Sequence, residues 1–212
     1  MLMKKGAEAS LFLEEWHGRK VIMKKRLPKK YRLPQLDERI RSYRTLHEPQ
    51  LMHQSKEAGV PTPTIFLVDV KEANIVMEFI EGEQVKKILH TLTTEERRKL
   101  CNHIGVSIGT LHNHGIIHGD LTTSNMILTP HEKIVFVDFG LGEFSTELEA
   151  RGVDLHLMKR VFQSTHYDCV EDGFEAVWTG YAEAVGEESA GDVSKKIVEI
   201  EERGRYVRRE ET

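Results

Sequence analysis

His118-Gly119-Asp120-Leu121-Thr122-Thr123-Ser124-Asn125 is followed, thirteen residues after Asn125, by Asp138-Phe139-Gly140. Three oxygen-bearing side chains stand out: Asp120 behind a helical run, Asn125 on the loop after it, and Asp138 at the end of the apolar run 134–137. Phosphoryl transfer asks a protein for little covalent chemistry. It asks for an oriented nucleophile and for neutralised β- and γ-phosphates, usually through Mg²⁺. Hard Mg²⁺ prefers oxygen ligands, and an amide and a carboxylate can supply two, with phosphate and water supplying the rest. Each piece alone has an ordinary structural explanation: Asp-Phe-Gly can end any strand, and His-Gly-Asp makes a good turn. Both at this spacing, after a capped helix and on an apolar strand, make coincidence a poor account.

Upstream, Thr93 and Glu96 form a capping-box pattern for a helix with Leu100, Ile104, Ile108 and Leu111 at helical spacing, closed by Gly115. Short apolar pieces at 126–128 and 134–137 read as strands, and the chain reads as helical beyond Val153. The N-terminal part predicts strands over 10–16 and 20–26 around a His17-Gly18 turn. A helix is expected over 36–58, ending at Gly59, with Pro49 expected to kink or restart it. Strands over 65–70 and 74–79 follow Pro61-Thr62-Pro63, and Glu81-Gly82-Glu83 reads as a hinge. The expectation is an α+β protein of two lobes, a β-rich 1–80 and a helical 81–212, with a ligand cleft between them.

Composition narrows the class. In 212 residues, 39% are hydrophobic and 30% charged, which indicates a folded globular chain. No apolar run approaches the roughly 20 residues of a membrane span, and the N-terminus has no secretory pattern. Cys101 and Cys169 are too few for a disulfide framework. The expected setting is cytoplasmic, without membrane contact. The net charge of −4 is uneven: 17–44 carries eleven Lys/Arg against Asp37 and Glu38, a balance of +9 that leaves −13 elsewhere. Such a stretch suits an anionic partner, although a solvated charged face explains it equally well. His112, His114, His118 and His131 cluster in sequence, but His112 and His114 are two apart on a helix and face apart, so a zinc site is disfavoured. Trp16 and Trp178 read as packing anchors.

The His118–Asn125 and Asp138–Gly140 segments resemble the protein-kinase-like superfamily, with its H-x-D-x-x-x-x-N and D-F-G pair. That resemblance implies a bilobal kinase-like fold, a small β-rich N-lobe over a reduced helical C-lobe, and places further residues. Lys24, after Val21-Ile-Met, sits like the lysine that contacts the α- and β-phosphates; alternation alone does not separate it from Lys20. Glu48 is its expected helix partner, ahead of Glu38 and Glu57. Gly6-Ala7-Glu8-Ala9 occupies the place of the phosphate-covering loop, with fewer glycines than G-x-G-x-x-G. Met77 would wall the adenine pocket, and backbone groups of Glu78 and Ile80 would bond adenine.

Gly6–Ala9, Arg26-Leu-Pro-Lys-Lys-Tyr-Arg32, Arg44-Thr-Leu-His-Glu48, the His118–Asn125 loop and Gly152-Val-Asp154-Leu together resemble the PRPK-type family across essentially the whole chain. These are the small atypical kinase/ATPase subunits of the KEOPS (EKC) complex. The resemblance implies ATP and Mg²⁺ as cofactors, Asp120 as catalytic base, Asn125 and Asp138 as Mg²⁺ ligands, and Lys24 and Glu48 as phosphate anchors. It also implies that Asp154 braces the catalytic loop and that His118 packs beneath Phe139. Partners would be other KEOPS subunits, above all the threonylcarbamoyltransferase, with tRNA as an indirect or weak direct partner of the stretch 19–44. The family's basic tail is matched only loosely, by Arg203-Gly-Arg205-Tyr-Val-Arg208-Arg209. Only eleven residues separate Gly140 from Gly152, no Ala-Pro-Glu follows, and Thr122 stands where serine/threonine kinases carry lysine. ATP hydrolysis and autophosphorylation are therefore expected over efficient general protein phosphorylation, in support of threonylcarbamoyladenosine (t6A) formation. The rivals are an aminoglycoside- or choline-type phosphotransferase and a nucleotide-binding scaffold without catalysis.

Overall fold

Short turns dictate how the N-terminal strands pair. β1 (Leu2–Lys5), β2 (Ser10–Trp16) and β3 (Arg19–Lys25) are successive antiparallel neighbours. The β2–β3 turn is His17-Gly18, with φ of 49° and 74°. Two left-handed residues match the twist of a tight hairpin, and glycine adopts that region without a Cβ penalty. β4 (Ile65–Asp69) and β5 (Asn74–Glu78) complete a five-stranded sheet in the order β1-β2-β3-β5-β4. The computed structural model describes residues 1–6 and 8–210, and the side chains of these except those of residue 4 and residues 204–210.

α1 (Pro34–Glu57) connects β3 to β4. Pro34 opens it, at a position where a missing N–H costs nothing. At its end Gly59 N–H donates to the Lys56 carbonyl (3.0 Å) and Val60 N–H to that of Ser55 (2.9 Å), the paired bonds of a Schellman closure. The kink or restart expected at Pro49 is corrected: one helix runs through it. Proline removes a single rung, the donor to the Thr45 carbonyl. Burial of Leu51, Met52 and Ser55 beyond it keeps the next turns seated.

The rest is helical, with two small ribbons. β6 (Glu83–Gln84), β8 (Met126–Leu128) and β9 (Ile134–Phe136) form one, and β7 (Ile116–Ile117) pairs with β10 (Glu143–Phe144) in the other. The helices are α2 (Val85–Ile88), α3 (Thr94–Asn113), α4 (Leu148–Thr165), α5 (Val170–Val185) and α6 (Glu187–Glu210). α3 begins with the expected capping box, Thr93 N–H on Glu96 Oε2 (2.9 Å) and Glu96 N–H on Thr93 Oγ1 (3.3 Å). Its Leu100, Ile104, Ile108 and Leu111 enter one core with Met158 and Phe162 of α4 and Val177 and Tyr181 of α5. The architecture is the expected α+β one. Among the described residues no helix is long and apolar enough to cross a membrane.

α3 and α5 approach backbone to backbone. A Cβ on Gly105 would run into the Val177 carbonyl, and one on Gly180 into that of Asn102. Gly105→Ala and Gly180→Ala should each destabilise by about 1–3 kcal/mol, although alanine in a helix is intrinsically better than glycine by about 1 kcal/mol. Urea unfolding of each variant checks this; unchanged midpoints would contradict the close approach.

Candidate active site

The loop after β7 is held from below. Asp154, on α4, is buried and accepts His118 N–H on Oδ2 (2.7 Å) and Gly119 N–H on Oδ1 (2.9 Å). Gly119 has φ 78°, and a Cβ there would collide with the Leu141 carbonyl, so this loop and the segment after Phe139 also meet backbone to backbone. His118 packs on Phe139, ring centroids 4.4 Å apart. Its Nε2 lies 3.2 Å from the Val137 carbonyl, and its Nδ1 accepts Asp120 N–H at 3.3 Å. One nitrogen must donate and the other accept, which describes a neutral imidazole. Asn125 closes the loop: its Nδ2 donates to the Asp120 carbonyl (2.9 Å) and to Asp120 Oδ2 (2.8 Å).

Lys24, on β3, reaches α1 and the segment after β9. Its Nζ lies 2.7 Å from Glu48 Oε1 and 2.5 Å from Asp138 Oδ1. Glu48 is almost wholly buried, and its Oε2 is held by Arg26. Burial disfavours the Lys24 charge, but Glu48 and Asp138 outweigh it, so its pKa is raised despite nearby Arg26. Burial likewise works against the Asp138 carboxylate, yet Lys24 holds its pKa below the ordinary value. Asp138 is not glycine and has φ 67°, a local strain of the kind found where side-chain direction matters.

The structure thus brings Asp120 and Asn125 together on one loop and joins Lys24, Glu48 and Asp138 in one cluster. Gly6 and Ala9 close the β1–β2 turn through a Gly6 N–H to Ala9 carbonyl bond (2.9 Å). Glu8 does not point to the cluster; it pairs with Arg32 (3.3 Å) and Arg44 (2.7 Å). Ala7 lies outside the described residues, as do the side chains of residues 204–210, which include most of the basic tail. Met77 is buried in the core on β5. Glu78 N–H is committed to the Thr64 carbonyl (2.8 Å), so adenine could use that residue only through its carbonyl. Ile80 N–H makes no hydrogen bond among the described residues.

The donor set fits Mg²⁺ held jointly with phosphate. Asn125 spends its NH₂ on Asp120, which leaves Oδ1 to face a cation. The Asp138 side chain is 46% exposed, with Oδ2 outside the Lys24 contact. Among the described residues no group of three or more His, Cys, Asp or Glu could hold a metal alone. A divalent ion here would need oxygens that a triphosphate and water bring. His112 serves structure instead, with Nδ1 3.1 Å from Tyr181 Oη and Nε2 3.5 Å from Asp154.

Part of the basic stretch is engaged within the fold. Lys24 and Arg26 are buried in the cluster, Arg32 and Arg44 pair with Glu8, and Arg41 pairs with Asp37 (2.7 Å). Spacing reveals the sign of these charges but not the acids that meet them. Arg26 and Asp37 were not singled out as functional residues by sequence reasoning. The signal for Arg26 was available: two residues past Lys24 on an extended segment, it shares that residue's face.

Two buried imidazoles set a pH dependence. Burial holds His118 below its ordinary 6.5, with Asp154, Asp138 and Asp120 opposing. His166, buried with Nε2 2.9 Å from Thr123 Oγ1, is lowered chiefly by burial too. A depressed folded-state pKa means the unfolded chain binds the proton first. Stability from these groups is therefore full above 6.5 and is lost as pH falls toward the folded values. The thermal midpoint should fall between about pH 7.5 and about pH 5.5, and His166→Gln should flatten that slope. An equal slope in the variant would exclude His166 as a source.

A family model described as "Protein kinase domain" matches residues 6–168. The KEOPS complex subunit Bud32 of Pyrococcus abyssi is 50% identical over 97% of this chain and 96% of its own length. The EKC/KEOPS complex subunit bud32 of Dictyostelium discoideum is 36% identical, over 97% of this chain and 82% of its own. A probable bifunctional tRNA threonylcarbamoyladenosine biosynthesis protein of Methanothermobacter thermautotrophicus is 44% identical over 97% of this chain, which spans 36% of that longer protein.

Proposed function

The chain belongs to the protein kinase domain family and, within it, to the family of the KEOPS subunit Bud32; from that premise we propose that it binds and hydrolyses Mg–ATP as the kinase subunit of KEOPS, in support of t6A formation on tRNA. The observation that carries this is Lys24 Nζ held between Glu48 (2.7 Å) and Asp138 (2.5 Å), opposite a loop on which Asn125 orients Asp120. In this proposal Lys24 donates to phosphate oxygens, Asn125 and Asp138 hold Mg²⁺, and Asp120 accepts the proton of the attacking water or hydroxyl. Bound Mg²⁺ would neutralise phosphate charge. Gly6 to Ala9 would cover the phosphates, Met77 would wall the adenine, and the Glu78 carbonyl with Ile80 N–H would bond it. The lobes would meet near residue 80.

The threonylcarbamoyltransferase subunit is the proposed direct partner, and tRNA a weaker or indirect one, in the cytoplasm. Burial of Lys24 and Arg26 and the ion pairs of Arg32, Arg41 and Arg44 leave fewer open cations for RNA than the linear count of 19–44 implies. Serine/threonine phosphorylation would be limited to autophosphorylation and selected proteins, because the segment from Leu141 to Arg151 is short. The test is ATP hydrolysis by wild type and Asp120→Ala, with and without the partner transferase and tRNA. Mg²⁺-dependent turnover raised by the partner and lost in Asp120→Ala is the expected result. Wild-type chain that neither binds nor hydrolyses Mg–ATP in the complex would overturn the proposal.

A further inference from the structure

We propose that Arg26 is a positioning residue for Lys24: by neutralising Glu48 from its other oxygen, it leaves the lysine's charge directed at nucleotide phosphate. The inference rests on the Mg–ATP reading above and concerns a residue that reading does not use.

Arg26 is buried, with 2% of its surface exposed, and Glu48 has 1%. The two cations take opposite ends of one carboxylate, Lys24 on Oε1 at 2.7 Å and Arg26 on Oε2. Arg26 is fastened at both ends. Its backbone N–H donates to the Ala73 carbonyl (3.0 Å), and its guanidinium Nη1 reaches Thr45 Oγ1 (3.4 Å). Thr45 carries the carbonyl that loses its rung to Pro49 and Glu48 directly precedes that proline, so the guanidinium braces α1 where its own ladder is incomplete. The guanidinium also lies against the turn after Asp138, since a Cβ on Gly140 would stand 3.3 Å from it.

Charge counting supplies the reason for a second cation. Lys24 and Arg26 balance Glu48 and Asp138, and a buried charge without a partner is costly. When Asp138 turns to a metal, Lys24, Glu48 and Arg26 together retain one positive charge facing the phosphates. Without Arg26, Lys24 and Glu48 would cancel each other, and the lysine would be held to its carboxylate rather than offered to the nucleotide.

Mg–ATP affinity, measured by displacement of a fluorescent nucleotide, tests this in the full chain, with thermal unfolding as the check on folding. Arg26→Met should weaken Mg–ATP binding by about tenfold, and Arg26→Lys should recover part of it, since it keeps the charge but not the fork. In Arg26→Met/Glu48→Gln the cluster regains its net positive charge while the amide oxygen still accepts from Lys24, so binding should exceed that of Arg26→Met without reaching wild type. A merely structural arginine would give a double variant at least as weak as Arg26→Met. That result, or wild-type affinity in Arg26→Met, would overturn the proposal. Should Arg26→Met fail to fold, Arg26→Gln and its Glu48→Gln double carry the same comparison. Failure of wild type to bind Mg–ATP is a separate outcome, which defeats the functional reading and this inference with it.

Discussion

Asp138→Asn should cut Mg²⁺-dependent ATP hydrolysis by about a hundred- to a thousandfold while leaving the protein folded. The variant keeps the shape of the side chain, and asparagine tolerates the left-handed backbone that Asp138 adopts at φ 67°. What it loses is a carboxylate that Lys24 keeps ionised against the effect of burial. On the catalytic side, that charge is the one the proposed Mg²⁺ site cannot replace, because the amide of Asn125 is its only protein companion there. On the stability side the cost is moderate. The Asp138 side chain is 46% exposed, so solvent partly screens its pair with Lys24; with one buried cation left unmatched, a loss of about 1–3 kcal/mol is expected. Initial rates across a Mg²⁺ titration, beside urea midpoints, separate the two effects. An Asp138→Asn variant that hydrolyses ATP near the wild-type rate would remove Asp138 from the chemistry.

Asp154→Ala should have the larger effect on stability, about 3–5 kcal/mol. The Asp154 carboxylate is 1% exposed and accepts two backbone N–H groups, those of His118 and Gly119, at 2.7 and 2.9 Å. Alanine strands the His118 donor where water does not reach and leaves the partly buried Gly119 donor unpaired, and it removes the partner that faces His112. Asp154→Asn keeps one acceptor but turns an N–H toward the other donor, so it should fall between wild type and alanine. The same two bonds aim the loop that carries Asp120. Activity should therefore be lost in Asp154→Ala even at temperatures where the chain stays folded. Urea unfolding with an unchanged m-value is the measurement; an alanine variant as stable as wild type would mean the loop is held by something else.

Much of the framework was legible because it is written locally. The Thr93/Glu96 cap, the spacing of Leu100, Ile104, Ile108 and Leu111, and the His17-Gly18 turn each report on a few neighbouring dihedrals, and each element formed. The pairing of Lys24 with Glu48 was what the family resemblance implied, and the structure shows that contact. By contrast, β6, β7 and β10 were not foreseen. Strands of two residues are too short for periodicity to mark them. Pro49 misled because a proline rule describes an isolated helix, whereas this helix is seated by its burial against the sheet.

The charges show the other limit. The basic stretch before Arg44 is plain in the sequence, yet Glu8 meets Arg32 and Arg44 across gaps of 24 and 36 residues, and Lys24 meets Asp138 across 114. Sequence by itself determined the order of the longer helices and strands, the loop carrying Asp120 and Asn125, and the side chains proposed to meet phosphate. Only the tertiary structure decided which cations remain open and which, like Arg26, are sealed against a carboxylate. Backbone periodicity acts over a single turn. The partner of a buried charge is instead chosen when docked elements expel water, and that depends on the whole chain at once.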